Sequence, residues 1–268
     1  METSYNEFKD NNTLYVYQTK MSGIEVTPTL SVPSPAEQPR VKRVILAVPG
    51  DNFTNKFLLA WTRTLNALWS NPKYDLIIAP GVSSCVHFAR MHTLGLSVLR
   101  GCDQKPFNDM DYDVWVTLDS DIVWTPEQII ELIENTEIHP VVAGQYMMAD
   151  MQHLAVVKDW DTDFFSEHGT FQFLTPQDIA NWKKETGLKF MPVSYVGLGM
   201  FACRKEVLNS LKYPYFHSEL QEIKTKDGVI LRDMAGEDVS FIKNIQAAGY
   251  TVMLNTDLRV GHEKRVCL

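Results

Sequence analysis

Apolar residues in this chain recur with two different periods, and the two alternate along most of its length. Short continuous apolar runs that end at proline or glycine predict strands buried on both faces. Longer segments with apolar residues at helical spacing separate these runs and predict amphipathic helices. In chain order, the predicted elements are a strand at 44–48, a helix at 57–69, a strand at 76–79, a helix at 86–99, a strand at 114–118, a helix at 125–135 and a strand at 141–143.

Strands and helices that alternate in this way predict a mostly parallel, twisted sheet with helices on both faces, and therefore an α/β fold class. The second half of the chain is less regular. The segment 159–175 is rich in Asp, Phe and Gly and is expected to form a surface flap or an antiparallel hairpin. A Gly-rich strand at 194–203, a helix at 237–248 and a last strand at 251–254 complete the prediction.

Residues 1–40 differ in composition from the rest of the chain. A short alternating stretch at 13–19 is followed by four prolines between positions 28 and 39. Prolines at this spacing favour an extended arm and disfavour a helix. The predicted organisation is therefore an N-terminal arm at 1–40 and one α/β domain at 41–268.

Charge and composition narrow the classes of function. The 33 acidic residues outnumber the 25 basic ones by 8, which argues against a nucleic-acid partner. The N-terminus lacks an apolar signal core, and no run approaches the roughly 18 apolar residues of a membrane span. We therefore expect no transmembrane segment and a cytoplasmic location, in the host cytoplasm if the gene is viral. The four scattered cysteines, Cys85, Cys102, Cys203 and Cys267, are expected to be free thiols.

Asp119 and Asp121 are the strongest candidates for chemistry. They directly follow the predicted strand 114–118, and ligands of open α/β sheets bind beyond the carboxyl ends of the strands. Two carboxylates this close together are readily ionised when a cation joins them, and their oxygens favour Mg²⁺ or Mn²⁺. Such an ion would bridge the phosphates of a nucleotide diphosphate and stabilise the charge on a leaving group. Taken in isolation, a solvated turn after a strand explains the same two residues.

The surroundings of this Asp-x-Asp segment resemble those in the GT-A glycosyltransferases. The resemblance covers residues 41–263 and rests on four segments at the relative positions typical of that superfamily. It is weaker in one respect, because the chain has no QxxRW motif, which argues against a processive polysaccharide synthase. The four segments are Val44-Ile-Leu-Ala-Val-Pro-Gly-Asp51, Asp119-Ser-Asp121 followed by the helix start Thr125-Pro-Glu, Gly236-Glu-Asp-Val-Ser240, and Val260-Gly-His262.

The resemblance implies a GT-A-like fold, with a Rossmann-like nucleotide-binding half and an acceptor half, and it implies roles for individual residues. Mn²⁺ or Mg²⁺ would be bound by Asp119, Asp121 and His262. Asp238 would deprotonate the acceptor hydroxyl in an inverting transfer, with Glu237 as an acceptor ligand or helper. The candidate contacts to the nucleotide-sugar are Pro49, Asp51, Arg90, Asp119, Ser120 and Gly199.

Each of these residues also has an ordinary structural explanation. Acidic residues in the first turn of a helix interact favourably with its dipole, and a histidine near a C-terminus is commonly exposed. Arg90 could form a surface salt bridge instead of a phosphate contact, and Gly199 could mark a β-bulge. Trp160 and Trp182 are candidates for an acceptor-stacking platform, but most tryptophans belong to the core.

The predicted function is a metal-dependent glycosyltransferase that moves a sugar from a nucleotide-diphosphate sugar, with UDP as the working choice, to a hydroxyl of a glycan or glycoconjugate. A retaining GT-A enzyme would carry the same metal motif, and a catalytically silent carbohydrate- or nucleotide-binding module would carry the same scaffold. A phosphatase of the haloacid-dehalogenase type also places Asp-x-Asp after a strand, although on its first one. A nucleotidyltransferase would need a cationic Gly-rich loop after the first strand, and the chain has none there.

Overall fold

The computed structural model describes residues 40–264. The arm predicted for 1–40 lies outside the described residues apart from Arg40, as does Cys267. Within the described part, the strands are β1 (Lys42–Pro49), β2 (Tyr74–Gly81), β3 (Val114–Leu118), β4 (Ile122–Val123), β5 (Val141–Gln145), β6 (Val156–Val157), β7 (Phe190–Val193), β8 (Tyr195–Val196), β9 (Met200–Arg204), β10 (Leu220–Lys224), β11 (Ile230–Met234), β12 (Val252–Arg259) and β13 (Gly261–His262). The α-helices are α1 (Asn55–Trp69), α2 (Val86–Thr93), α3 (Pro126–Asn135), α4 (Thr162–His168), α5 (Pro176–Thr186), α6 (Lys205–Ser210) and α7 (Glu237–Ala247).

A seven-stranded sheet forms the centre of the fold, in the order β2-β1-β3-β9-β5-β12-β7. β1, β2, β3, β5 and β12 share one direction, whereas β9 and β7 run against their neighbours. The α/β class with a mostly parallel sheet flanked by helices is therefore confirmed. The reversed strand β9 lies between β3 and β5, so the loop before β9 meets the loop after β3 at the same edge of the sheet.

Each face of the sheet carries its own hydrophobic core. Along β1, Ile45 and Ala47 point into the core covered by α2 and α7, while Val44 and Leu46 point into the core covered by α1 and α3. All four side chains are fully buried, which explains why the strand reads as a continuous apolar run. Burying one such Val, Leu or Ile side chain contributes roughly 1.5–3 kcal/mol.

Three predicted elements differ from the structure in more than their bounds. The Gly-rich strand expected at 194–203 is divided into β8 and β9, which belong to different sheets. The helix expected at 86–99 ends at Thr93, because Gly95 adopts a φ of 64° and turns the chain away. The segment 159–175 does not form an antiparallel hairpin, because it contains α4. Asp161 caps the start of that helix by accepting a hydrogen bond from the Phe164 amide, and Gly169 ends it in the left-handed conformation.

Two expectations from composition can be compared with the described residues. Cys85, Cys102 and Cys203 are free thiols, as expected. None of the helices within residues 40–264 has the length and hydrophobicity that crossing a bilayer requires.

Candidate active site

Side chains from three parts of the chain, two of them acidic and one a histidine, meet at the carboxyl edge of the sheet. Asp119 follows β3 directly, and its amide donates a hydrogen bond to the Gly199 carbonyl at 3.1 Å. β13 pairs antiparallel with β4, which places His262 opposite Ile122 and therefore beside Asp121. The first turn of α7 contributes Glu237 and Asp238.

Arg90 links two of these groups inside the protein. Its guanidinium approaches both oxygens of Asp119, with Nη1···Oδ1 at 2.9 Å and an Nη2–H···Oδ2 hydrogen bond of 3.0 Å, while Nε donates to Glu237 Oε1 at 3.2 Å. The Nη1 contact is a close ion pair without hydrogen-bond alignment, so one buried donor stays unpartnered among residues 40–264. Burial lowers the pKa of Arg90, but the two carboxylates outweigh it and hold the pKa above its ordinary value.

The structure thus places Arg90 in a buried bridge. Its side chain is only 6% exposed, so the pair with Asp119 is not a surface salt bridge. Both carboxylates pair with its charge, and its contact with the nucleotide-sugar stays a prediction. Arg90 ties the end of β3 to the start of α7.

Asp121 and His262 form a second pair. His262 Nε2 lies 3.2 Å from Asp121 Oδ2, and His262 Nδ1 donates to the Met147 carbonyl at 2.6 Å. The Lys264 ammonium also contacts Asp121 Oδ2, at 2.6 Å. Burial alone would raise the pKa of Asp121, but hydrogen bonds from His262 and Lys264 lower it to about 2. The same bond with Asp121 raises the pKa of His262 against the effect of its own burial.

These two residues fit one side of a divalent metal site. The Met147 carbonyl accepts from Nδ1, so Nε2 faces Asp121 and holds the proton of that hydrogen bond. Release of the Nε2 proton would free a lone pair for an ion, with the Met147 carbonyl as the usual outer-shell partner of a metal-binding histidine. Asp119, the third predicted ligand, is instead held by Arg90. Within residues 40–264, no three His, Cys, Asp or Glu side chains are grouped closely enough to hold an ion by themselves. The remaining ligands would come from phosphate oxygens, as is common for Mg²⁺ sites.

Asp238 is held by two donors. The Tyr195 hydroxyl donates to Asp238 Oδ2 at 2.6 Å, and the Val239 amide donates to Oδ1 at 2.8 Å. Burial raises the pKa of Tyr195 well above its ordinary value, and the charge of Asp238 adds to this, so the hydroxyl keeps its proton. Gly236 makes room for this arrangement, since a Cβ there would lie 2.7 Å from Asp238 Oδ1. The two hydrogen bonds fix the orientation of the Asp238 carboxylate.

Tyr146 packs against His262 and against the Gly-rich segment 197–199, and no sequence motif distinguishes it from any other core aromatic. Its ring lies edge-on to His262 with centroids 5.0 Å apart, and its hydroxyl accepts from the Gly199 amide at 3.3 Å. A Cβ on Gly197 would lie 2.0 Å from the Tyr146 hydroxyl, and one on Gly199 would lie 2.7 Å from the ring. Close approach of this tyrosine therefore explains the glycines at 197 and 199, and the contact of Gly199 with the donor sugar stays a prediction.

The predicted nucleotide loop lies at the same edge. Pro49 is buried at the end of β1 and offers little surface to a ligand, whereas Asp51 is exposed and accepts a hydrogen bond from Asn52 at 2.8 Å. Ser120 is half-buried and lies against Gly50, where an added Cβ would be 3.2 Å from the serine side chain. The loops after β1 and β3 are therefore in contact, as a shared nucleotide site would require.

The chain is similar to solved structures in its fold but not in its sequence. No family model matches the chain, and no curated protein matches its sequence. The A197 protein from STIV is 15% identical with a TM-score of 0.43, over 85% of this chain and 97% of that chain. GalNAc-T7, in a crystal structure with UDP, GalNAc and Mn²⁺, is 14% identical with a TM-score of 0.44, over 84% of this chain and 43% of that one. The present chain thus spans less than half of GalNAc-T7.

Proposed function

We propose that the protein is a GT-A-type glycosyltransferase that moves a sugar from a nucleotide-diphosphate sugar to a hydroxyl of a glycan or glycoconjugate. The observation that carries the proposal is the Asp119–Arg90–Glu237 bridge. It joins an Asp-x-Asp segment at the end of a central strand to an acidic pair at the start of a helix, on the edge of the sheet where α/β proteins bind ligands.

The donor side of this site is formed by Asp121 and His262, which would hold Mn²⁺ or Mg²⁺ together with the diphosphate. When bound, the ion supplies positive charge that stabilises the departing nucleotide diphosphate. Lys264 would have to leave Asp121 to admit the ion, and its ammonium could then pair with a phosphate oxygen. With Asp119 fixed by Arg90, its role in this proposal is to position the adjoining loop and contact the nucleotide-sugar.

The acceptor side is formed by Asp238. Tyr195 and the Val239 amide each donate one hydrogen bond to this carboxylate, which leaves further lone pairs for a substrate. A hydroxyl of the acceptor would donate its proton to Asp238 while its oxygen attacks the anomeric carbon from the face opposite the leaving group. That geometry gives inversion at the anomeric carbon, and NMR of the first-formed product distinguishes it from retention.

The experiment that tests the proposal is a thermal-shift screen of nucleoside diphosphates and nucleotide-sugars, each with Mn²⁺ and with EDTA, followed by turnover assays on the ligands that bind. A ligand at a hundredfold excess over its Kd stabilises the folded state by about 2.7 kcal/mol. We expect a Mn²⁺-dependent shift for one nucleotide family, with UDP and UDP-sugars first.

The variant Asp121→Asn should lose the Mn²⁺-dependent shift and turnover. Asp103→Asn is the matched control, because Asp103 is an exposed aspartate in a loop away from the site. Binding without turnover for any donor and acceptor would favour the silent nucleotide-binding module. Unchanged turnover in Asp121→Asn would refute the proposed metal site.

A further inference from the structure

A cleft outside the nucleotide edge has the chemistry of a saccharide site. It has a volume of about 420 Å³ and lies between the chain segments 158–161 and 172–174 and one side of α5. We call it the acidic cleft. Apolar side chains that pack against the core contribute to its lining, with Met191 almost fully buried and Trp182 partly exposed. These apolar residues are Phe173, Leu174, Trp182 and Met191.

Polar side chains complete the lining. Carboxylates and amides outnumber the single ammonium of Lys158, so the lining carries a net negative charge. Asp161 already caps α4, and Asp178 accepts hydrogen bonds from Thr175, whereas Asp159 and Glu185 have no ion-pair partner among residues 40–264. The polar residues are Lys158, Asp159, Asp161, Gln172, Asp178, Asn181 and Glu185.

This combination selects one ligand class. Four carboxylates against one ammonium repel a phosphate or a nucleotide, because like charges in a partly desolvated cleft destabilise binding. A neutral, hydroxyl-rich ligand donates hydrogen bonds to carboxylates without that penalty. Aromatic and aliphatic side chains meanwhile cover the apolar C–H faces of a sugar ring.

The acidic cleft is also connected to the proposed base. Phe173, which lines the cleft, packs edge-on against Tyr195 with ring centroids 6.4 Å apart. Trp160, which stands between two cleft residues in sequence, packs 6.2 Å from the same ring. Tyr195 in turn donates its hydrogen bond to Asp238. One layer of aromatic side chains therefore separates the cleft from the carboxylate that would deprotonate the acceptor.

We propose that the acidic cleft binds an uncharged sugar unit of the acceptor glycan, next to the unit that receives the transferred sugar. The acceptor role in this inference rests on the proposed transferase function. Saccharide binding in the cleft can still be measured without turnover, so the two proposals fail separately.

The test is saturation-transfer NMR on the full-length protein with a fixed panel of probes: the methyl glycosides of glucose, galactose, mannose and N-acetylglucosamine, the disaccharides lactose, cellobiose and chitobiose, and glucose 1-phosphate. At least one neutral saccharide should bind, and glucose 1-phosphate should bind more weakly than methyl glucoside. Trp182→Ala and the double variant Asp159→Asn/Glu185→Gln should each weaken that binding about tenfold or more. Trp182→Phe should keep most of it.

The matched control is Trp69→Ala, because Trp69 is a tryptophan at the end of α1 that is 61% exposed and outside the cleft. It should bind saccharide like the wild type. Because Trp182→Ala could disturb packing, the double variant, which changes only exposed carboxylates, decides the matter.

Absence of binding by every probe, or equal binding by the wild type and the double variant, would overturn the inference. Mn²⁺-dependent nucleotide binding that survives such a result leaves the transferase proposal intact. If the protein binds saccharide in the cleft but binds no nucleotide, both the acceptor role and the transferase proposal are overturned. That result supports a carbohydrate-binding module.

Discussion

Replacing Arg90 by methionine removes a buried charge from between two carboxylates, and its cost follows from the geometry. The guanidinium is 6% exposed, while the Asp119 and Glu237 side chains are 28% and 13% exposed. Breaking a buried ion pair by deleting one partner typically costs 3–5 kcal/mol. Because water reaches part of Asp119, we expect a value of about 3 kcal/mol, at the lower end. For a domain of this size that loss lowers the Tm by roughly 6–12 °C.

Urea unfolding followed by circular dichroism measures this change as a shift of the midpoint at constant slope. Arg63→Met is the matched control, since Arg63 is an exposed arginine on α1 and its replacement should stay within about 0.5 kcal/mol. Arg90→Lys keeps the charge but not the forked geometry and should give an intermediate loss. The triple variant Arg90→Met/Asp119→Asn/Glu237→Gln removes all three charges and should recover part of the lost stability.

Two results would refute this reasoning. A loss below about 1 kcal/mol in Arg90→Met would mean that the carboxylates are solvated without the arginine. A triple variant no more stable than Arg90→Met would mean that the loss comes from packing and not from unpaired charge.

Three further changes probe the rest of the site. Tyr195→Phe deletes a 2.6 Å hydrogen bond to the Asp238 carboxylate. A hydrogen bond to a charged group contributes about 1.5–3 kcal/mol, so kcat/KM should fall roughly 10–100-fold while donor binding stays unchanged. A wild-type kcat/KM would exclude a role of Tyr195 in holding the base. Gly199→Ala places a Cβ 2.7 Å from the Tyr146 ring and should lower the free energy of unfolding, measured in urea, by about 1–3 kcal/mol. An equal loss in a Tyr146→Ala background would contradict the proposed clash. Lys264→Ala removes an ammonium that competes with the ion for Asp121. Two unit charges in water interact by ~1 kcal/mol, so Mn²⁺ binding measured by calorimetry should tighten roughly fivefold. Weaker binding would show that the lysine assists the ion.

Local signals in the sequence were sufficient for the parallel half of the sheet. β3 occupies the predicted residues 114–118, because an apolar run broken only by Thr117 and followed directly by Asp119 is typical of a buried strand. α5 could have been predicted as well, because Thr175-Pro176-Gln-Asp178 is a capping box with proline at the first turn, as at Thr125. The order of the strands could not, because β9 pairs with β3 over about 85 residues of chain and no local pattern encodes that choice.

The predicted site residues lie at the same edge of the sheet, but the side chains they pair with were not evident from the sequence. Asp119 and Asp121 are one residue apart, yet one pairs with Arg90 and the other with His262. Tyr146 and Tyr195 were missed because a buried tyrosine has the same sequence pattern as any core aromatic. Their roles depend on which groups meet their hydroxyls, and that is set by tertiary contacts.

The Arg90 bridge is more simply explained by positioning than by stability. An apolar trio of similar volume is often at least as stable as a buried ion pair, so stability alone gives no reason for buried charges at this edge of the sheet. A guanidinium does supply a fixed fork that sets the direction of two carboxylates at once, which methionine cannot do. The bridge therefore relates the loop after β3, on the proposed donor side, to the start of α7, on the proposed acceptor side. The charge-free triple variant should therefore separate stability from activity, because it should regain part of the stability lost in Arg90→Met without regaining sugar transfer.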